Sequence, residues 1–150
     1  MGRVGGALQS IAATLWVGGL WVTGYVVAPV LFARLGDRAL AGMVAGKLFS
    51  MMAWIGIACA LYLLLFRIAR HGAGVFRQAV FWIVLLMLLL VCAGEFGVQP
   101  VMAALKAEAL PRQVMESVLR DRFAAWHGVS SVLYVIESLL GAALVILLGR

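Results

Sequence analysis

Apolar residues fill four long stretches, about residues 7–31, 50–68, 79–98 and 128–148, and polar residues gather between them. Each stretch is near the ~20 residues that a helix needs to cross the hydrocarbon of a bilayer. The pattern predicts an all-α membrane protein, a four-transmembrane-helix bundle forming one domain over residues 1–150. Inside the stretches the formal charges are Arg67, Glu95 and Glu137. The first stretch is too long for a signal-peptide core, and no A-x-A-like cleavage site closes it. With Trp16, Trp21 and a terminal Ala28-Pro29-Val30-Leu31-Phe32, it reads as a retained helix.

The links differ in character. The one from Ala33 to Phe49 opens on a turn-like Gly36-Asp37, then reads as helical and leads into the second span. The middle link, Arg67 to Gln78, is short and carries Gly72 and Gly74, with Arg67, Arg70, His71 and Arg77 and no acid. From Gln99 to Trp126 charges alternate with apolar residues, which predicts an amphipathic segment between the third and fourth spans. Pro100 and Pro111 are expected to break it.

Composition narrows the class. The chain is 65% hydrophobic and 12% charged, with mean hydropathy +1.10, against about 45–50% apolar and about 25% charged in soluble domains. A chain this short, folded in water, has no core large enough to hide so much apolar surface. The net charge of +6 does not indicate nucleic acid, because the basic residues sit at span ends, where membrane lipid headgroups are the expected partner.

Four spans put both termini and the middle link on one side. That side holds Arg3, Arg67, Arg70, Arg77 and Arg150 without an acid, while the longer links hold more basic residues diluted by acids. Raw Lys/Arg count places the long links inside; charge density places the termini in the cytoplasm, and density is preferred here.

Several residues are candidates for packing or chemistry. Gly18, Gly19, Gly24, Gly128, Ser131, Ser138 and Gly141 are small residues at partly helical spacing, expected at helix contacts. An acid inside a bilayer costs several kcal/mol, so it is functional, paired or protonated. Glu95 shares a helix face with Cys92 and Gln99, and chain direction brings Lys47 and His127 to the same membrane face. Lys47, Glu95, Gln99 and His127 therefore form either a binding or ion-path cluster or a structural ion pair. Glu137, near the middle of the fourth span, is a second ion-path candidate, or a neutral carboxyl bonded to a neighbouring helix.

No cofactor is predicted. Haem is disfavoured because His71 and His127 lie at opposite faces, about 30 Å of hydrocarbon apart. Cys59 and Cys92 lack a CxxC pattern and read as small hydrophobes, and the seven methionines form no ligand cluster. A metal ligand set is not defined. No catalytic motif occurs, so the chain is not expected to be an enzyme.

Trp16-Val17-Gly18-Gly19, Pro29-Val30-Leu31-Phe32 and Ala41-Gly42-Met43-Val44-Ala45-Gly46-Lys47-Leu48-Phe49 resemble the bacterial "domain of unknown function 4149" family, itself similar to the eukaryotic transmembrane protein 205 group. Pro100, Phe123 and His127-Gly128-Val129-Ser130 fit the same likeness, and the W-x-G-G helix is distantly similar to copper-resistance membrane domains. The resemblance implies a four-span protein of the bacterial inner membrane, with a link to metal resistance in the eukaryotic group. Three functions follow: a small transporter or transport accessory for a metal ion or proton-coupled solute; a non-catalytic membrane subunit or assembly factor; or a haem or quinone redox protein. Size alone suggests a homo-oligomer or a membrane protein partner for any transport role.

Overall fold

Asp37 shows how local sequence sets a helix boundary. Its carboxylate accepts hydrogen bonds from the backbone N–H groups of Ala39 (2.7 Å) and Leu40 (3.2 Å), capping the helix that begins at Arg38. At the other end Gly72 adopts φ +52°, a left-handed conformation that favours glycine, and stops the same helix.

The computed structural model describes residues 2–109, 115 and 118–149. Helices α1 (Gly2–Val22) and α2 (Ala28–Arg34) join through a π-turn at Thr23–Val27. Helix α3 (Arg38–His71) leads through a 3₁₀ turn, Gly72–Arg77, into α4 (Ala79–Cys92). A second π-turn, Ala93–Val98, continues into α5 (Gln99–Ala109), and α6 (Arg120–Leu148) completes the chain. These make four rods, each long and apolar enough to cross a membrane. Rods adjacent in sequence pack together, and the fourth closes on the first, giving an up-down-up-down bundle.

The rods outrun the apolar stretches. Even the shortest, Arg120–Leu148 with 29 residues, is about 43 Å long, against about 30 Å of hydrocarbon. Apolarity stops where lipid stops, but backbone hydrogen bonding does not. The link after residue 33 is accordingly helical from Arg38, and the first part of the amphipathic segment continues the third rod as α5.

Pro100 does not break that rod. Proline lacks an N–H and crowds the carbonyl four residues earlier. The π-turn just upstream, where the Gln99 N–H bonds to the Gly94 carbonyl, accommodates both effects and the helix continues. Pro29 follows the first π-turn in the same way, with the Ala28 N–H bonded to the Thr23 carbonyl. The two segments, Tyr25-Val26-Val27-Ala28-Pro29-Val30 and Phe96-Gly97-Val98-Gln99-Pro100-Val101, share an aromatic, Val, Pro and Val in register. Pro111 lies outside the described residues.

Packing is dense toward the end that holds the termini and the 3₁₀ turn, where Trp16, Leu63, Val75, Val84, Met87 and Leu144 are fully buried. Toward the opposite, loop end, α3 buries Ala41 and Ala45 and α5 buries Leu105 and Ala109, while α6 buries no residue before Glu137. In lipid, contact faces are chosen by close approach rather than by escape from water. A Cβ on Gly19 would lie 2.5 Å from Met52 Cε, and one on Gly141 3.1 Å from Val17. Among the described residues, a Cβ on Gly18 or Gly128 would meet nothing within 4 Å. Ser131 is exposed and donates to the carbonyl of His127 within its own helix (2.9 Å).

Candidate functional site

The site is assembled from the inner faces of α1, α3 and α6. Tyr134 projects from α6 into the first π-turn, where its hydroxyl donates to the Leu20 carbonyl and also faces the Gly24 N–H. Leu20 and Gly24 are an i, i+4 pair, so the hydroxyl stands where an α-helix would close its own bond. That insertion accounts for the π-turn. Gly24 is required there, since a Cβ would overlap the Tyr134 ring. Phe49 and Tyr25 pack edge-on against the ring, at centroid separations of 5.2 and 6.2 Å.

One turn further along α6 lies Glu137, 6% exposed. Its Oε1 is buried and has no hydrogen-bond partner among the described residues, while the Trp16 indole is its polar neighbour. Trp16 reaches this position because Gly56 of α3 lacks a side chain: a Cβ there would lie 2.5 Å from the indole Nε1. Ser138, also buried, donates to the Tyr134 carbonyl (2.8 Å), and its own carbonyl accepts from the Trp21 indole (3.3 Å). Among the described residues of this layer, the buried side-chain oxygen left without a partner is Glu137 Oε1.

Glu95 forms a separate contact. It lies within the second π-turn, half-buried, and accepts a hydrogen bond from Ser50 Oγ of α3 (2.5 Å). Trp54 and Phe96 pack edge-to-face beside it, with centroids 5.7 Å apart. Lys47 is exposed and makes no ion pair with Glu95, and Gln99 enters through its backbone in the π-turn. His127 is exposed and stacks on Phe123 (6.2 Å between centroids), whose ring also carries Lys106 Nζ at 5.5 Å. The bonds around Glu95 thus run to Ser50, and His127 belongs to an array tying α5 to α6. Among the described residues no three His, Cys, Asp or Glu side chains come together as a metal site.

Ser50 is the partner that sequence reasoning missed. It is a single hydroxyl at the edge of an apolar run, and nothing in its local pattern says which helix faces it. The role of Tyr134 was equally hidden, although a glycine and a tyrosine in partner helices are the ingredients of a close contact.

Comparison with known proteins adds one finding. Residues 11–110 match the family described as a domain of unknown function, DUF4149. The chain belongs to that family. No curated protein and no solved structure matches. The DUF4149 match names that family alone, so the likenesses to the transmembrane protein 205 group and to copper-resistance domains rest on the sequence motifs only. It takes in Ser50 and Glu95 and ends before Tyr134 and Glu137.

Proposed function

We propose that this DUF4149 protein is a small proton-coupled transporter or transport accessory of the bacterial inner membrane, with Glu137 as its protonation site. The observation that carries the reading is a mid-helix carboxyl, 6% exposed, with a buried oxygen that no hydrogen bond satisfies. Leaving a buried polar atom unpaired costs roughly 1–3 kcal/mol, and intramembrane acids retained at such cost mark proton or ion paths. The lack of buried α6 residues ahead of Glu137 supports access along that helix from the loop end, past Tyr134 and down to Glu137. The termini are then cytoplasmic, following the dense basic charge of their side.

Trp16, Met87 and Leu144 fill the bundle interior at the terminal end. That filling supports the accessory form, in which a second copy or a membrane protein partner completes the path. The same observation favours the second reading, a non-catalytic membrane subunit.

Proton flux into proteoliposomes holding a trapped pH dye, driven by an imposed potential, tests the proposal. Flux above protein-free vesicles is expected for the natural chain, alone or with its co-purifying partner. Glu137→Gln should return it to background, and flux that persists unchanged in this variant would sink the assignment.

A further inference from the structure

A second feature lies at the terminal end, away from Glu137. Between Arg67 and Gln78 the chain carries Arg67, Arg70, His71 and Arg77 and no acid. Arg67 Nη1 donates to Gln78 Oε1 (2.5 Å), which fixes the guanidinium at the junction of α3 and α4, while its Nε is buried without a partner. Arg70, one turn further on and exposed, acts on Arg67 as a like charge. Two guanidinium groups one helical turn apart, with no acid between residues 67 and 78, form half of an anion site. The Gln78 side chain is taken by Arg67 and does not cap α4, so the positive end of that helix adds to the same field.

The depth of the corner identifies the anion. Phe76 and Trp82 are 57% and 54% exposed, and the Trp82 indole donates to the Phe76 carbonyl (2.9 Å), which fixes the ring at the edge of the apolar surface. Exposed aromatic residues beside arginines mark the headgroup level of a bilayer. A phosphate group there arrives with acyl chains that the neighbouring apolar rod faces can cover.

We propose that the α3–α4 corner is a binding site for the phosphate of an anionic phospholipid, held by Arg67 and Arg70 and flanked by Trp82. Arg67 is the member fixed by Gln78, and Arg70 is the exposed one, which meets the phosphate from the outer side.

Native mass spectrometry of the full chain, released from nanodiscs holding equal phosphatidylglycerol and phosphatidylcholine, tests the site. The natural chain should retain phosphatidylglycerol preferentially. Arg70→Gln should lower that preference about fivefold, the equivalent of about 1 kcal/mol per basic residue at an anionic surface. Arg67→Gln should do the same or more. Because Arg67 also ties two helices together, Arg70→Gln is the variant that decides if Arg67→Gln fails to fold. Arg34→Gln, at the opposite end, should leave the preference unchanged. Equal retention of the two lipids by the natural chain, or an Arg70→Gln preference equal to the natural one, would overturn the site. Inorganic phosphate that displaces phosphatidylglycerol at millimolar levels would assign the corner to a soluble anion and overturn the lipid.

Discussion

Replacing Gly24 by alanine tests the contact that shapes the first rod. The added Cβ would overlap the Tyr134 ring. That ring has little freedom to retreat, being held by its bond to the Leu20 carbonyl and by Phe49 and Tyr25 on its sides. Overpacking of this kind costs about 1–3 kcal/mol. Alanine would otherwise be favoured over glycine in a helix by about 1 kcal/mol, so the net loss expected for Gly24→Ala is about 0–2 kcal/mol. Removing the ring removes the collision: in a Tyr134→Ala background the same substitution should be neutral or stabilising. The double-mutant cycle should therefore show a coupling of about 1–3 kcal/mol. Reversible unfolding in mixed micelles of mild and denaturing detergent, followed by far-ultraviolet circular dichroism, measures each corner. Additivity within about 0.5 kcal/mol would refute the idea that Gly24 exists to admit Tyr134.

Other substitutions probe the same layer and its neighbour. Tyr134→Phe keeps the ring but frees the Leu20 carbonyl and Gly24 N–H to bond each other; its cost should stay near or below the ~0.6 kcal/mol typical of an interhelical hydrogen bond in a membrane. Ser50→Ala removes the donor to Glu95 and should destabilise by about 0.6–1.7 kcal/mol in the same unfolding assay, whereas Lys47→Ala should have no measurable effect. Gly56→Ala should displace the Trp16 indole from Glu137, seen as a tryptophan fluorescence shift that is absent from the Trp16→Phe variant. Pro100→Ala should leave the third rod helical, with no loss of helical signal by circular dichroism.

The apolar runs by themselves determined the number of rods, their α-helical state and the up-down order, because hydrocarbon leaves backbone groups no partner except the next turn of their own helix. They also marked Glu95 and Glu137 as costly residues and Asp37 as the edge of a turn. Tertiary structure decided what those residues meet. Glu95 pairs with Ser50 rather than Lys47, because a lysine at the end of a span reaches for water while the Ser50 hydroxyl of α3 lies within hydrogen-bond distance of the carboxylate. Pro29 and Pro100 do not end their helices, since the π-turn just upstream of each widens the hydrogen-bond ladder, and in the first rod that turn is held open by a tyrosine from another rod. Glu137 was visible as an acid but not as an unsatisfied one. Periodicity reports which face of a helix is apolar; which side chains from other rods arrive at that face is a long-range matter, and in lipid, where apolar and buried no longer mean the same thing, pattern alone carries little of it.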